Sequence, residues 1–119
     1  MPLFRVRLEL ARTKEHPAGS AQHGYEFVAP LDAGGHLNSA EWKANKAKCT
    51  VRRFAPGVEE SGHLVDVGRG WHFDYEDGYD DDEPLYKLDR HEVRVGEYIS
   101  VKEHDGETRP YRVAMVAPL

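Results

Sequence analysis

The chain has one cysteine, Cys49, among 119 residues, so no internal disulfide can staple it. It has no apolar run approaching the roughly 20 residues that a membrane-spanning helix needs. Its start, Met1-Pro2-Leu3-Phe4-Arg5, lacks the apolar core of a secretory signal. These absences together make the cytoplasm the expected compartment, with no membrane partner. Motifs of common chemistries are missing too. There is no Gly-x-Ser-x-Gly elbow to present a nucleophilic serine. Seven histidines occur, but no two at His-x-x-x-His spacing, and Cys49 has no neighbouring cysteine, which argues against structural zinc. The glycines of Gly68-Arg69-Gly70 fall within a hairpin pattern rather than between a strand and a helix, so they do not form a phosphate loop. No internal repeat is present.

What remains has a folded-protein balance, 39% hydrophobic and 31% charged, in a length that suits one domain, 1–119. A chain of this size buries roughly two-thirds of its unfolded surface and can fold without staples. The formal net charge of −5 argues against a general nucleic-acid binder, because phosphate neutralisation needs a basic face.

Two-residue periodicity dominates. In LFRVRLEL, Phe4, Val6, Leu8 and Leu10 alternate with Arg5, Arg7 and Glu9, the pattern of a half-buried strand. Thr13 to His23 reads as a loop, Gly24 to Ala29 as a strand closed by Pro30, Asp32 to Gly35 as a turn, and Cys49 to Ala55 as a strand ended by Pro56-Gly57. Gly62 to Tyr75 reads as a hairpin about Gly68-Arg69-Gly70. That turn pairs Val67 with Trp71, Val65 with Phe73 and His63 with Tyr75 on a core face, and Asp66 with His72 on the other. A short strand near Leu85 to Leu88 follows. Glu97 to Glu103 and Thr108 to Ala117 form a final hairpin around Asp105-Gly106. A two-residue turn there misaligns the apolar faces, and a β-bulge at Pro110 is the expected remedy.

One helix is expected, Ser39 to Lys48. Asn38 is its N-cap, Glu41 closes a capping box, and Trp42 anchors it on the sheet. About seven short antiparallel strands with one short helix imply a mainly β fold, a small barrel or a sandwich. The barrel is preferred because closure removes exposed edges.

Candidate functional residues fall into three groups. The acidic stretch Asp74 to Glu83, centred on Asp80, Asp81 and Asp82, lacks EF-hand spacing and reads as a solvated loop able to steer a protein partner. The basic residues Lys43, Lys46 and Arg52 supply an oppositely charged surface. Cys49, although flanked by Lys48 and Arg52, is expected to be buried as a small hydrophobe and not a nucleophile. The aromatics Trp71, Phe73 and Tyr75 are assigned to the core, which disfavours nucleic-acid stacking.

FRVRLELAR at Phe4 to Arg12, HGYEFVAPL at His23 to Leu31, and VGEYISVKEHDGETRPYRV at Val95 to Val113 resemble a family of small bacterial proteins, chiefly proteobacterial, with no established activity. That resemblance implies one domain and transfers no functional residue. A local stretch, Gly96-Glu97-Tyr98-Ile99-Ser100 with Arg109-Pro110-Tyr111, is similar to the flavin-binding barrel of ferredoxin-reductase-like enzymes. It implies a barrel that could hold a flavin through Arg109 and Tyr111. Arg112 stands where that family's segment has serine, and the chain has no room for a nicotinamide domain. The expectation is therefore a non-enzymatic interaction module without a cofactor, with a flavin-like ligand barrel as the alternative and a nucleic-acid-binding barrel ranked behind it.

Overall fold

The computed structural model describes residues 3–66, 71–75, 83–86, 92–103 and 107–119. Among the described residues there are eight strands: β1 (Leu3–Leu10), β2 (Ser20–Pro30), β3 (Thr50–Ala55), β4 (Val58–Asp66), β5 (Trp71–Tyr75), β6 (Glu83–Tyr86), β7 (Tyr98–Lys102) and β8 (Thr108–Pro118). Each pairs antiparallel with the next, and β8 returns to β1, so the sheet closes into a barrel. Closure excludes the sandwich.

Alternation explains the closure. Val6 lies opposite Phe27 and Leu8 opposite Tyr25, while Phe27 continues to Val51 on β3. These residues, with Leu64, Trp71, Phe73, Ile99, Val101, Tyr111 and Val113, form one buried core. An eight-stranded barrel is about wide enough for side chains to fill. The rings of Tyr25, Phe27 and Phe73 meet at centroid distances of 5.0 and 5.4 Å and occupy much of that space. The outward residues form a ladder of opposite charges in which Arg7 reaches Glu9 and Glu26, and Arg52 reaches Glu26 and Glu59.

One end of the barrel is stoppered by α1 (Ser39–Ala44). Trp42, 5% exposed, packs edge-on against Trp71 at 5.7 Å and donates from Nε1 to the Leu64 carbonyl at 2.8 Å. Lys46 Nζ lies 4.9 Å from the centre of the same ring. Val93 joins the stopper through its N–H to the Gly35 carbonyl, 2.7 Å away.

Several expectations need correction. The β4–β5 register is one residue away from that expected: Leu64 faces Phe73, Val65 faces His72, Asp66 faces Trp71 and His63 faces Asp74. Leu64 and Val65 are adjacent apolar residues, so periodicity alone could place either one inside. The barrel takes Leu64, leaving Val65 half-buried and Asp66 opposite Trp71 rather than His72.

The β7–β8 ladder runs without interruption from Tyr98↔Arg112 to Lys102↔Thr108, so no bulge occurs at Pro110. Its connection, rather than a bulge, restores Ile99 opposite Tyr111. The bulge in β8 lies on the other edge, where Arg7 faces Met115 and Leu8 faces Val113.

The helix ends at Ala44. Asn45 Nδ2 donates to the Glu41 carbonyl at 2.8 Å, and the chain tightens into a 3₁₀ turn, Lys46–Lys48. Asn38 caps the Glu41 N–H as expected, and its own N–H donates to the Pro30 carbonyl at 3.0 Å. Strand β6 starts at Glu83 rather than Leu85. Cys49 is fully buried, and burial pushes its thiol pKa up. Asp80, Asp81 and Asp82, the Gly68-Arg69-Gly70 and Asp105-Gly106 turns, and the side chain of Tyr75 lie outside the described residues.

Candidate functional site

Toward the end of the barrel that the helix does not cover, the inward positions change character. Arg53 on β3 shares the inward parity of Val51, and its register partner on β4 is Glu60. Glu103 continues the inward parity of Ile99 and Val101, and Arg109 that of Tyr111 and Val113. Four charged side chains and a phenol thus stand where a period of two calls for apolar residues.

They satisfy one another. Arg53 Nη1 donates to Glu60 Oε1 at 2.7 Å and Nη2 to Glu103 Oε2 at 3.3 Å. Arg109 Nη1 lies 3.7 Å from Glu103 Oε1, an ion pair longer than a hydrogen bond. The Tyr111 hydroxyl donates to Glu103, and the Tyr25 hydroxyl bonds the Tyr111 oxygen in turn. Burial first, and the Glu103 contact second, push the Tyr111 hydroxyl far above its ordinary pKa, so it stays protonated. The Glu103 side chain is only 7% exposed. A buried carboxylate is costly unless paired and hydrogen-bonded, and this one is both.

Above this network lies a recess of about 300 Å³, lined among others by Arg53, Arg109, Glu103, Tyr111, His16 and His23. That volume is at the low end of small-molecule sites, about 300–1,000 Å³. His16 comes from the β1–β2 loop and His23 from β2, with ring centroids 4.8 Å apart. Ser20 Oγ lies 2.9 Å from His23 Nδ1. Burial, and then the neighbouring His16, hold the His23 pKa below its ordinary value. Two larger hollows, of about 620 and 420 Å³, are lined largely by wall residues such as Glu9, Tyr98 and Arg112 in one and Arg5, Glu26 and Arg52 in the other. Size favours them; the converging interior groups favour the smaller recess, and those groups carry the chemistry.

Of the residues singled out in the sequence, Arg109 and Tyr111 are brought together here, both on Glu103. Arg52 is not. It lies on the outer wall, matched by Glu26 and Glu59 and 5.2 Å from the centre of the Phe54 ring. Lys43 and Lys46 are exposed in and beside the stopper helix. Sequence reasoning missed Arg53, Glu60 and Glu103 as a set. The available signal was their parity: each is a charge at an inward strand position.

Comparison with family models, with curated proteins and with solved structures finds no match. Among the described residues no group of three or more His, Cys, Asp or Glu side chains could hold a metal ion, and no helix is long and apolar enough to cross a membrane.

Proposed function

We propose that the protein is a binding module that holds a small polar ligand in the recess beside Arg109. The supporting observation is the convergence of Arg53, Arg109, Glu103 and Tyr111 beneath a recess in an otherwise apolar barrel. Packing alone does not call for them, since an apolar set at the same positions avoids the cost of desolvating charge. Binding is favoured over catalysis because the network ties up its own acid and base. Glu103 accepts from Tyr111 and Arg53, and Tyr111 is held protonated. A general base needs a pKa near the working pH, and Tyr111 is not poised that way. A docking surface built on basic residues loses Arg52 to its two carboxylate neighbours. The cytoplasm suits a chain whose one thiol, Cys49, is buried and reduced.

The test is a thermal-shift screen of small organic acids, sugars and flavin mononucleotide. At least one compound should raise the Tm of the natural chain, and Arg109→Gln should abolish that rise. A rise that survives Arg109→Gln, or a panel without effect, contradicts the reading. Flavin acting in that screen, with visible flavin absorbance in the purified protein, selects the flavin-like ligand.

A further inference from the structure

We infer that the recess is a proton-coupled anion site, taking up a small oxyanion together with protons on His16 and His23. This rests on the recess being the binding site proposed above and names the class of ligand it takes.

The geometry begins with the loop between β1 and β2. His16 is held in a tight turn: its carbonyl accepts from the N–H groups of Thr13 and Gly19 at 3.0 and 2.9 Å, and its own N–H donates to Thr13 Oγ1 at 3.1 Å. Gly19 has φ +75°, and a Cβ there would lie 2.6 Å from the Leu10 carbonyl oxygen, so the turn requires glycine. The His16 ring is thereby kept against His23, whose ring is oriented by Ser20.

Among the described residues, the charged and titratable groups lining the recess come from every neighbouring element. Glu15 and His16 come from the loop, Arg53 from β3, Glu103 from the end of β7, and Arg109 and Tyr111 from β8. Glu60 of β4 stands behind, bonded to Arg53. Among the described residues, Arg53 pairs with Glu60 and Glu103, and Arg109 with Glu103. Each proton taken up adds a positive charge, and the only further described acid in the lining is Glu15, which is exposed.

Charge on one imidazole therefore opposes charge on the other, and Arg53 opposes charge on His23. Burial, His16 and Arg53 all act to keep His23 neutral, with Glu103 acting in the opposite sense. An oxyanion in the recess supplies a countercharge to a protonated imidazole, and guanidinium forks match the oxygens of carboxylates and tetrahedral oxyanions alike. Linkage then requires that protons tighten the anion by the same factor as the anion tightens the protons.

The test uses the natural chain at constant ionic strength in chloride, titrated separately with sodium acetate and sodium sulfate. Both probes keep a fixed charge between about pH 6 and about pH 8, well above an ordinary carboxylate pKa. Imidazole and arginine Nε–H resonances report binding. At least one probe should bind about tenfold or more tightly at the lower pH, a coupling of ordinary size for linked sites. At saturation it should raise the pH at which His23 titrates. The tighter probe distinguishes a carboxylate from a tetrahedral ligand. The double variant His16→Gln/His23→Gln should bind with little pH dependence, and Lys43→Gln, on the stopper helix, should behave as the natural chain.

Equal affinity at the two pH values overturns the inference, as does tightening undiminished in the double variant. If neutral compounds shift recess resonances while neither anion does, the inference fails and the binding reading stands. If no compound of any class does so, the binding reading itself fails.

Discussion

The Tyr111 hydroxyl donates to the Glu103 carboxylate across the β7–β8 hairpin, in a barrel interior whose neighbouring inward positions are Ile99, Val101 and Val113. Around that contact the barrel changes from a packed core into a polar floor.

The two partners should not cost the same to remove. Tyr111→Phe takes away one donor and leaves Glu103 with its arginines, for about 1–3 kcal/mol. Glu103→Ala leaves Arg53 and Arg109 without the carboxylate they share, for about 3–5 kcal/mol. Urea unfolding should rank them in that order. The double variant should lose less than the sum, because the second change removes a contact already broken.

At the other end, Trp42→Ala and Trp71→Ala should each cost about 3–5 kcal/mol, since both rings are nearly fully buried and pack on each other. Trp42→Phe keeps most of the bulk but leaves the Leu64 carbonyl without the indole donor, and should cost about 1–3 kcal/mol. Tryptophan emission of the natural protein should be blue-shifted and should move red only on unfolding.

These ends differ in how far the sequence announces them. Strand β1 is legible because Val6 and Leu8 alternate strictly with Arg5, Arg7 and Glu9, and the N-cap is legible because Asn38 precedes Glu41 at the right spacing. The register of β4 on β5 is not, because Leu64 and Val65 are adjacent and only the loop length between Asp66 and Trp71 decides which is buried. The first half of β4 is hidden for a related reason. Its inward residues are Glu60 and Gly62, and a charge beside a glycine does not read as a strand until Arg53 is seen opposite. The site was half visible, through Arg109 and Tyr111. Glu103, on which they meet, is concealed because it sits at an inward position whose partners Arg53, Arg109 and Tyr111 are fifty, six and eight residues away.

Glycine positions give a sharp contrast. At Gly24 an added Cβ would fall 1.9 Å from the Leu8 carbonyl oxygen, with the Phe54 ring at 3.0 Å. Gly24→Ala should therefore displace β2 from β1 and lower the unfolding free energy, read by urea titration, by about 3 kcal/mol or more. At Gly57, φ is +73° but nothing lies within 4 Å, so Gly57→Ala should cost only the left-handed backbone, about 1–2 kcal/mol.

Stability should fall at both extremes of pH. His23 has a folded pKa below the ordinary 6.5, so the unfolded chain binds its proton more readily; stability is whole above that pH and declines as pH falls through the folded value. Tyr111 has a folded pKa above the ordinary 10.0, so its contribution is whole below that pH and is lost as pH rises. Urea midpoints taken along the pH scale should show both limbs. His23→Gln should flatten the first and Tyr111→Phe the second.

The claim that the recess is the working part of the molecule is tested most directly by Arg109 itself. Its Nε–H resonance, followed by NMR while small acids are added, should move together with those of Arg53 and His23, and the Trp42 indole resonance at the stoppered end should stay fixed. Shifts confined to Trp42, Lys43 and Lys46, with Arg109 unmoved, would contradict the account.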